Sequence, residues 1–400
     1  MGPVQSNEQS CPVVNLDYSA HRPQGEWIRT FDELRAEAPW YRNDFGPGFW
    51  MMLNHEGILE ILQNPEDFSS SSVVAMDPDP AYRWIPEMLD GEEHREWRRQ
   101  LAPAFSPRAI VRLEDRVRSW AREVIDRIAE QGSCDFMAEF AQIYPTTIFL
   151  DLMGLPAAEL DTFMEWEHQI LRSPKTEEGR VLRMRAMRAV TGYFAEVVAR
   201  KRREPGDDLI SAALRFRIGG KPVGEEDLLA FCLLMFMAGL DTVTATLGWS
   251  FLHLARNPED RERIVADPEL IPGAIEEFVR AYAIVLPGRK ATRDTEVQGC
   301  PIKEGDMVLL PLNAATRDDG AFDDARTVRI DRSPNNHIGF GAGPHRCLGS
   351  HLARRELRIA FEEWHARIPS YRLADEGSRE LLESGGQLTL TTPLHLTWDV

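Results

Sequence analysis

The sequence predicts a mainly α fold, a large helical bundle carrying small antiparallel β-sheets. Three observations predict it. Long segments carry apolar residues at helical spacing. The apolar runs that suit strands are few and short. No repeat, low-complexity linker or sharp change of composition marks a cut in the 400 residues, so the chain reads as a single domain over 1–400, with 1–25 loosely ordered.

Taken in order, residues 31–38 suit a short helix, 48–53 (GFWMML) a strand and 56–63 a helix. Residues 68–89 are rich in Ser, Pro and Asp and read as loop, with Tyr82 and Trp84 as exposed aromatic candidates. A helix opens at Asp90, and His94 and Arg98, four apart, share one face of it. Residues 110–130 repeat Val111, Leu113, Val117, Trp120, Val124 and Ile128 at helical spacing. Residues 136–153 form a largely apolar, central helix. Residues 156–171 and 180–203 are amphipathic helices joined by the polar connection RSPKTEEG at 172–179, and the basic run 200–203 suits a helix C-terminus.

The longest apolar helix spans 225–257 and contains AGLDTV at 238–243. A charged Asp241 inside it is costly unless paired or functional. The Thr242 hydroxyl can bond the carbonyl one turn back. In the helix at 275–282, Glu277 and Arg280 are placed to pair. Residues 307–313 (MVLLPLN) suit a strand. Residues 387–398 alternate around Thr392-Pro393 as a β-hairpin whose tip is Gly385-Gly386-Gln387.

The formal net charge of -18 argues against nucleic acid or an anionic membrane as partner. Five cysteines, an odd number without a CxxC pair, point to a reducing cytosol, hence a cytoplasmic protein. Residues 1–19 have no apolar stretch suited to a signal peptide or anchor. The most apolar segment, 228–240, stops at Asp241 and is too short to span a bilayer.

Residues 340–349 read FGAGPHRCLG. Cys347 ends this Gly/Pro-rich loop directly before a helix at 350–368. Free N–H groups and the positive end of the dipole there stabilise a thiolate. Gly341, Gly343 and Gly349 allow turns and a close approach to a flat ligand. A thiolate so held suits an axial position on haem iron. In the pattern F-G-x-G-x-H-x-C-L-G the stretch resembles the haem-binding loop of the cytochrome P450 monooxygenases. The resemblance covers about 31–398 and is nearest to the bacterial camphor-hydroxylase type.

The resemblance implies the cytochrome P450 fold and a haem b cofactor (iron protoporphyrin IX). Cys347 would be its iron ligand, with Phe340, His345 and Gly349 in the binding loop. His94 and Arg98 match a pair that binds a haem propionate, and Arg289 and His337 match further propionate partners. The run AGLDT matches the oxygen-binding segment: Gly239 lets the flat ligand lie against the backbone, and Asp241 and Thr242 relay protons from solvent. Arg332 joins Glu277 and Arg280 to lock the cysteine loop. Tyr82 is a candidate donor to a substrate carbonyl. Trp84, Leu234, Met237, Val285, Leu286 and Gln387 would line a compact apolar pocket.

The function so implied is a haem-thiolate monooxygenase hydroxylating a small apolar substrate, terpenoid-like or a cyclic ketone. It would use dioxygen and two electrons from a ferredoxin-type donor with its reductase, or from a flavodoxin, and would act as a monomer. Arg98, Arg99, Arg108, Arg346, Arg354 and Arg355 would give the donor a basic face near Cys347. A peroxide-driven peroxygenase is the first rival, and the intact Asp241-Thr242 pair counts against it. A haem protein that only binds or senses a small ligand is the second.

Overall fold

The computed structural model describes residues 11–173, 176–374 and 380–400. The helices are α1 (Glu26–Glu37), α2 (His55–Gln63), α3 (Gly91–Leu101), α4 (Pro107–Ile128), α5 (Ile143–Met153), α6 (Leu160–Leu171), α7 (Glu177–Arg203), α8 (Leu209–Ala213), α9 (Glu225–Arg256), α10 (Pro258–Ala266), α11 (Ile271–Ala281), α12 (Leu312–Thr316) and α13 (Ser350–Arg367). The largest sheet has six strands, in the order Val13–Val14, Trp40–Asn43, Phe49–Met52, Met307–Leu309, Gly288–Ala291, Phe68–Ser69. Most of its pairings are antiparallel. Val13–Val14 against Trp40–Asn43, and Met307–Leu309 against Phe49–Met52, are parallel.

The helix α9 runs through the middle. One core lies on its C-terminal half, where Phe251 stacks on Phe136 at 4.3 Å and meets Trp364 edge-on at 5.3 Å. A second core lies on its N-terminal half, around Phe231, Phe236, Phe163 and Trp97. Apolar side chains point all round α9 because protein surrounds it. Its apolar character resumes beyond Asp241, with Val243, Leu247, Trp249, Phe251 and Leu252 all buried. The length argument from 228–240 therefore fails: α9 is long and apolar enough to cross a membrane, and 61% of its most apolar stretch is buried inside the fold.

Other departures from the sequence reading have local causes. Of residues 1–25, those from Cys11 on are held rather than loose, since Val13–Val14 joins the large sheet. The helix α1 begins five residues early because Glu383, far along the chain, accepts hydrogen bonds from the N–H groups of Gly25 and Trp27 at 2.9 Å each. The helix expected at 136–153 opens with a wide turn, Met137–Ala141, and the Ala141 carbonyl is taken by Thr244 of α9 at 2.8 Å. The strand expected at 307–313 stops at Leu309; Pro311 has no N–H to donate and instead precedes α12. The connection expected at 172–179 falls partly on 174–175, outside the described residues.

Residues 387–398 hold two strands, but not of one hairpin. Thr389–Leu390 pairs with Leu382–Ser384, whereas His395–Thr397 pairs with Ser133–Asp135 and Arg372–Leu373. Alternation marks a strand but not its partner. The hairpin that exists turns at Gly385-Gly386-Gln387, and Leu382–Ser384 also pairs with Arg22–Pro23. Gly385 and Gly386 donate to the carbonyls of Ala20 and Tyr18.

Candidate active site

The cysteine loop is built by its own backbone. The Cys347 N–H donates to Phe340 O at 2.8 Å, and Gly341 N–H to Ile338 O at 2.8 Å. Gly343, at φ +66°, presses against the end of α2 where a Cβ would collide with the Leu62 carbonyl. Gly349 has an ordinary φ of -78°, so it is not needed for a special turn; its N–H instead donates to the Cys347 sulfur. The sulfur's accessible surface faces an internal cavity. Burial pushes the free thiol's pKa up, against the pull of the Gly349 N–H and the Arg98 and Arg346 guanidiniums. The helix start alone therefore does not make the thiolate, which needs a metal ion as well.

Behind the loop, Glu277 and Arg280 pair bidentately, both contacts at 2.7 Å, with no solvent exposure. Arg332 reaches Glu277 at 3.0 Å. Both guanidiniums also donate to carbonyls of the 316–327 segment. Every charge in this buried cluster is hydrogen-bonded, as the interior requires.

The cavity measures about 1670 Å³ and lies between Cys347 and the middle of α9. It suits haem b on two counts. One wall offers the Cys347 sulfur. Another offers Arg289, which is 5% exposed and forms no ion pair among the described residues; the Glu87 charge acts on it, and its hydrogen bond goes to the Gly288 carbonyl. A buried cation of this kind calls for an anion such as a propionate. Arg98 and His94 line the same cavity. Burial, then the neighbouring His345 and Arg98, depresses His94 to about 3, so it is neutral. His345 stacks on His94 with ring centroids 4.0 Å apart. Phe340 lies in the lining under the Arg354 guanidinium, 4.4 Å from its ring centroid.

His337 is a correction. Its Nε2 meets Glu276 at 3.0 Å and its Nδ1 accepts from Gly339 N–H at 3.1 Å. Both ring nitrogens are engaged within the protein, and His337 is not among the residues that line the cavity.

On the opposite wall, Thr242 Oγ donates to the Ala238 carbonyl at 2.9 Å. Gly239 also lines the cavity, but its missing Cβ makes room for Phe149, whose ring carbon would lie 2.7 Å from one. Asp241 is not open to solvent: it is 3% exposed. Arg172 holds one oxygen at 3.1 Å; Gln387 and Thr389 donate to the other at 2.8 and 3.1 Å. Gln387 thus lines the pocket with its amide turned to Asp241. Glu167 shares Arg172 at 3.4 Å, and burial, then the Asp241 charge, pushes its pKa up.

The remaining pocket residues, Tyr82, Trp84, Leu234, Met237, Val285 and Leu286, all line the cavity. Burial, then the neighbouring Asp77 carboxylate, pushes the Tyr82 hydroxyl pKa up, and Asp77 competes for its proton. The basic face is also smaller than expected. Arg354 is paired with Glu276, Arg355 with Glu114 and Arg99 with Glu92. Arg98 is turned to the cavity. Arg108 and Arg346 are exposed and have no carboxylate partner among the described residues.

Three acids escaped the sequence reading. Glu167 and Glu356 sit on helices, where a lone acid usually marks the solvent side. Glu356 lines the cavity, and burial pushes it up to about 8. Glu87 also lines the cavity, in a loop whose composition reads as exposed.

Comparison with known proteins agrees with this geometry. The family model described as Cytochrome P450 matches residues 31–364. The probable cytochrome P450 127A1 of Sinorhizobium fredii is 36% identical over 88% of this chain and 84% of its own length. The mycinamicin IV hydroxylase/epoxidase of Micromonospora griseorubida is 32% identical over 83% of this chain and 85% of its own. The crystal structure of CYP101J2 superposes with a TM-score of 0.87 at 31% identity, covering 97% of each chain.

Proposed function

The chain belongs to the cytochrome P450 family, whose members are monooxygenases that carry haem b on a cysteine thiolate, and from that premise we propose that Cys347 is the iron ligand and that the substrate is an apolar, terpenoid-like molecule. The observation that carries the reading is one cavity shared by the Cys347 sulfur, the Thr242 hydroxyl and the buried Arg289 guanidinium.

When bound, haem supplies the dioxygen chemistry: one oxygen atom enters a substrate C–H bond and the other leaves as water. The chain's residues do the rest. Arg289, Arg98 and His94 hold the propionates. Thr242 Oγ, whose proton goes to Ala238, accepts a hydrogen bond from a water and keeps it at the cavity wall. Asp241 passes a proton inward when Arg172 and Gln387 release it. Leu234, Met237, Val285 and Leu286 exclude bulk water and orient the apolar skeleton. A ketone handle would compete with Asp77 for the Tyr82 hydroxyl, so the terpenoid-like skeleton is the reading retained.

Electrons come from an acidic ferredoxin served by its reductase, or from a flavodoxin, docking beside the exposed Arg108 and Arg346. The protein works as a cytoplasmic monomer and a single domain over 1–400. The test is the reduced, CO-bound spectrum. Wild type is expected to show the red-shifted Soret band of thiolate ligation, and Cys347→His to lose it. A globin-like CO spectrum from folded wild type overturns the assignment.

A further inference from the structure

Glu87 lies between Pro86 and Met88, on the segment leading into α3, and lines the cavity. Among the described residues it accepts no hydrogen bond and forms no ion pair. Burial pushes its carboxyl pKa up, and Arg289, the cation that pulls it down, does not offset this. Once Arg289 serves a propionate, Glu87 is left without a positive partner. A carboxylate held in an apolar cavity on those terms costs several kcal/mol unless a ligand supplies the counter-charge.

No described side chain donates to it. Tyr82, which feels the charge of both Asp77 and Glu87, brings an electron-rich ring to the cavity wall. The Trp84 ring lies 4.9 Å from that of Tyr82. The Trp84 indole N–H is buried and has no acceptor among the described residues. Asp17 lines the cavity as well, with its Oδ1 taken by the Ser19 N–H and hydroxyl. This part of the wall accepts hydrogen bonds and attracts positive charge, and two aromatic faces suit a cation. Of the cavity's other cations, Arg172 is committed to Asp241 and Glu167 and Arg180 to Glu177, while Arg183 donates to the Ser173 carbonyl and Arg98 to the Arg346 carbonyl.

We propose that the substrate is an apolar skeleton carrying a cationic nitrogen, which pairs with Glu87 beside the Tyr82 and Trp84 rings. The proposal rests on the haem-monooxygenase reading above and names its substrate class. It makes Glu87 a specificity-determining residue.

The test compares two probes of one shape on the haem-loaded enzyme. One is the quaternary N,N,N-trimethyl-1-adamantylammonium ion, which cannot ligate iron. The other is its neutral isostere, 1-tert-butyladamantane. Affinities are read by calorimetry and by the low-to-high spin shift. Wild type is expected to bind the cation at least about tenfold more tightly, the lower end for a close charge pair. Glu87→Gln is expected to erase that preference, leave the neutral probe's affinity unchanged and keep the thiolate CO band. A wild type with no preference, or a Glu87→Gln that keeps it, overturns the proposal. So does a Glu87→Gln that releases haem in a protein with no cation preference, since Glu87 then serves the propionates. Failure of the haem-thiolate reading shows up separately, as a missing CO band in wild type.

Discussion

Arg172 donates to Asp241 at 3.1 Å, tying the residue that follows α6 to the middle of α9, 69 positions away in sequence. Both side chains are nearly closed to solvent. Removing the cation strands two carboxylates, Asp241 and Glu167, against each other. Arg172→Met is expected to cost about 3–5 kcal/mol, as for other broken buried pairs. Adding Glu167→Gln should recover part of the loss. Urea unfolding of the two variants checks this, and an unchanged midpoint in Arg172→Met contradicts it.

Thr242→Ala removes the hydroxyl that anchors water but touches neither Cys347 nor the electron-donor face. Reductant use is expected to continue while hydrogen peroxide rises and hydroxylated product falls. Asp241→Asn keeps the alcohol and slows proton entry, so total turnover should fall instead. Measuring reductant, peroxide and product together separates the two. Wild-type coupling in Thr242→Ala refutes the relay.

Haem retention should depend on the guanidiniums that line the cavity. Arg98→Ala and Arg289→Ala are each expected to weaken haem binding by roughly 1.5–3 kcal/mol, one charge-assisted hydrogen bond apiece. His337→Ala should lower the melting temperature more than haem affinity, because its nitrogens face Glu276 and Gly339. Haem transfer to apomyoglobin measures all three. Equal haem loss from His337→Ala would return that residue to the propionates.

Glu276 sets an acid limit on the loop's support. Burial alone would raise its pKa, but hydrogen bonds from Arg354 and His337 outweigh burial and hold it at about 2, below its ordinary 4.5. A depressed carboxyl contributes stability above its unfolded pKa and loses it as pH falls towards the folded one. Wild type should therefore lose stability between pH 4.5 and about 2, and Glu276→Gln should be less stable at pH 7 but fall less over that window. Melting curves against pH decide it: parallel curves for the two proteins rule the coupling out.

Local chemistry carried much of the fold and site in the sequence. The helices from Pro107 to Arg203, and α9 and α13, announce themselves because their apolar stripes recur at helical spacing. Glu277 and Arg280 are one helical turn apart, so their pairing needs no knowledge of the fold. Partners distant in sequence were not legible. The start of α1 depends on Glu383, the strand His395–Thr397 depends on Ser133–Asp135, and the state of Asp241 depends on Arg172 and Gln387. Direction was not legible either: a histidine on a loop, such as His337, gives no hint whether it faces the cavity or Glu276.

The hairpin that turns at Gly385-Gly386-Gln387 leans on residues 18–27 through Glu383, Gly385 and Gly386, while Gln387 touches Asp241. Recombination between relatives would have to respect that alliance. A chimaera importing the turn alone would place a foreign loop against Tyr18 and Ala20, lose the register that presents Gln387, and loosen the start of α1. Segments 18–27 and 382–390 therefore behave as one heritable cassette, and libraries that shuffle pocket specificity should exchange them together.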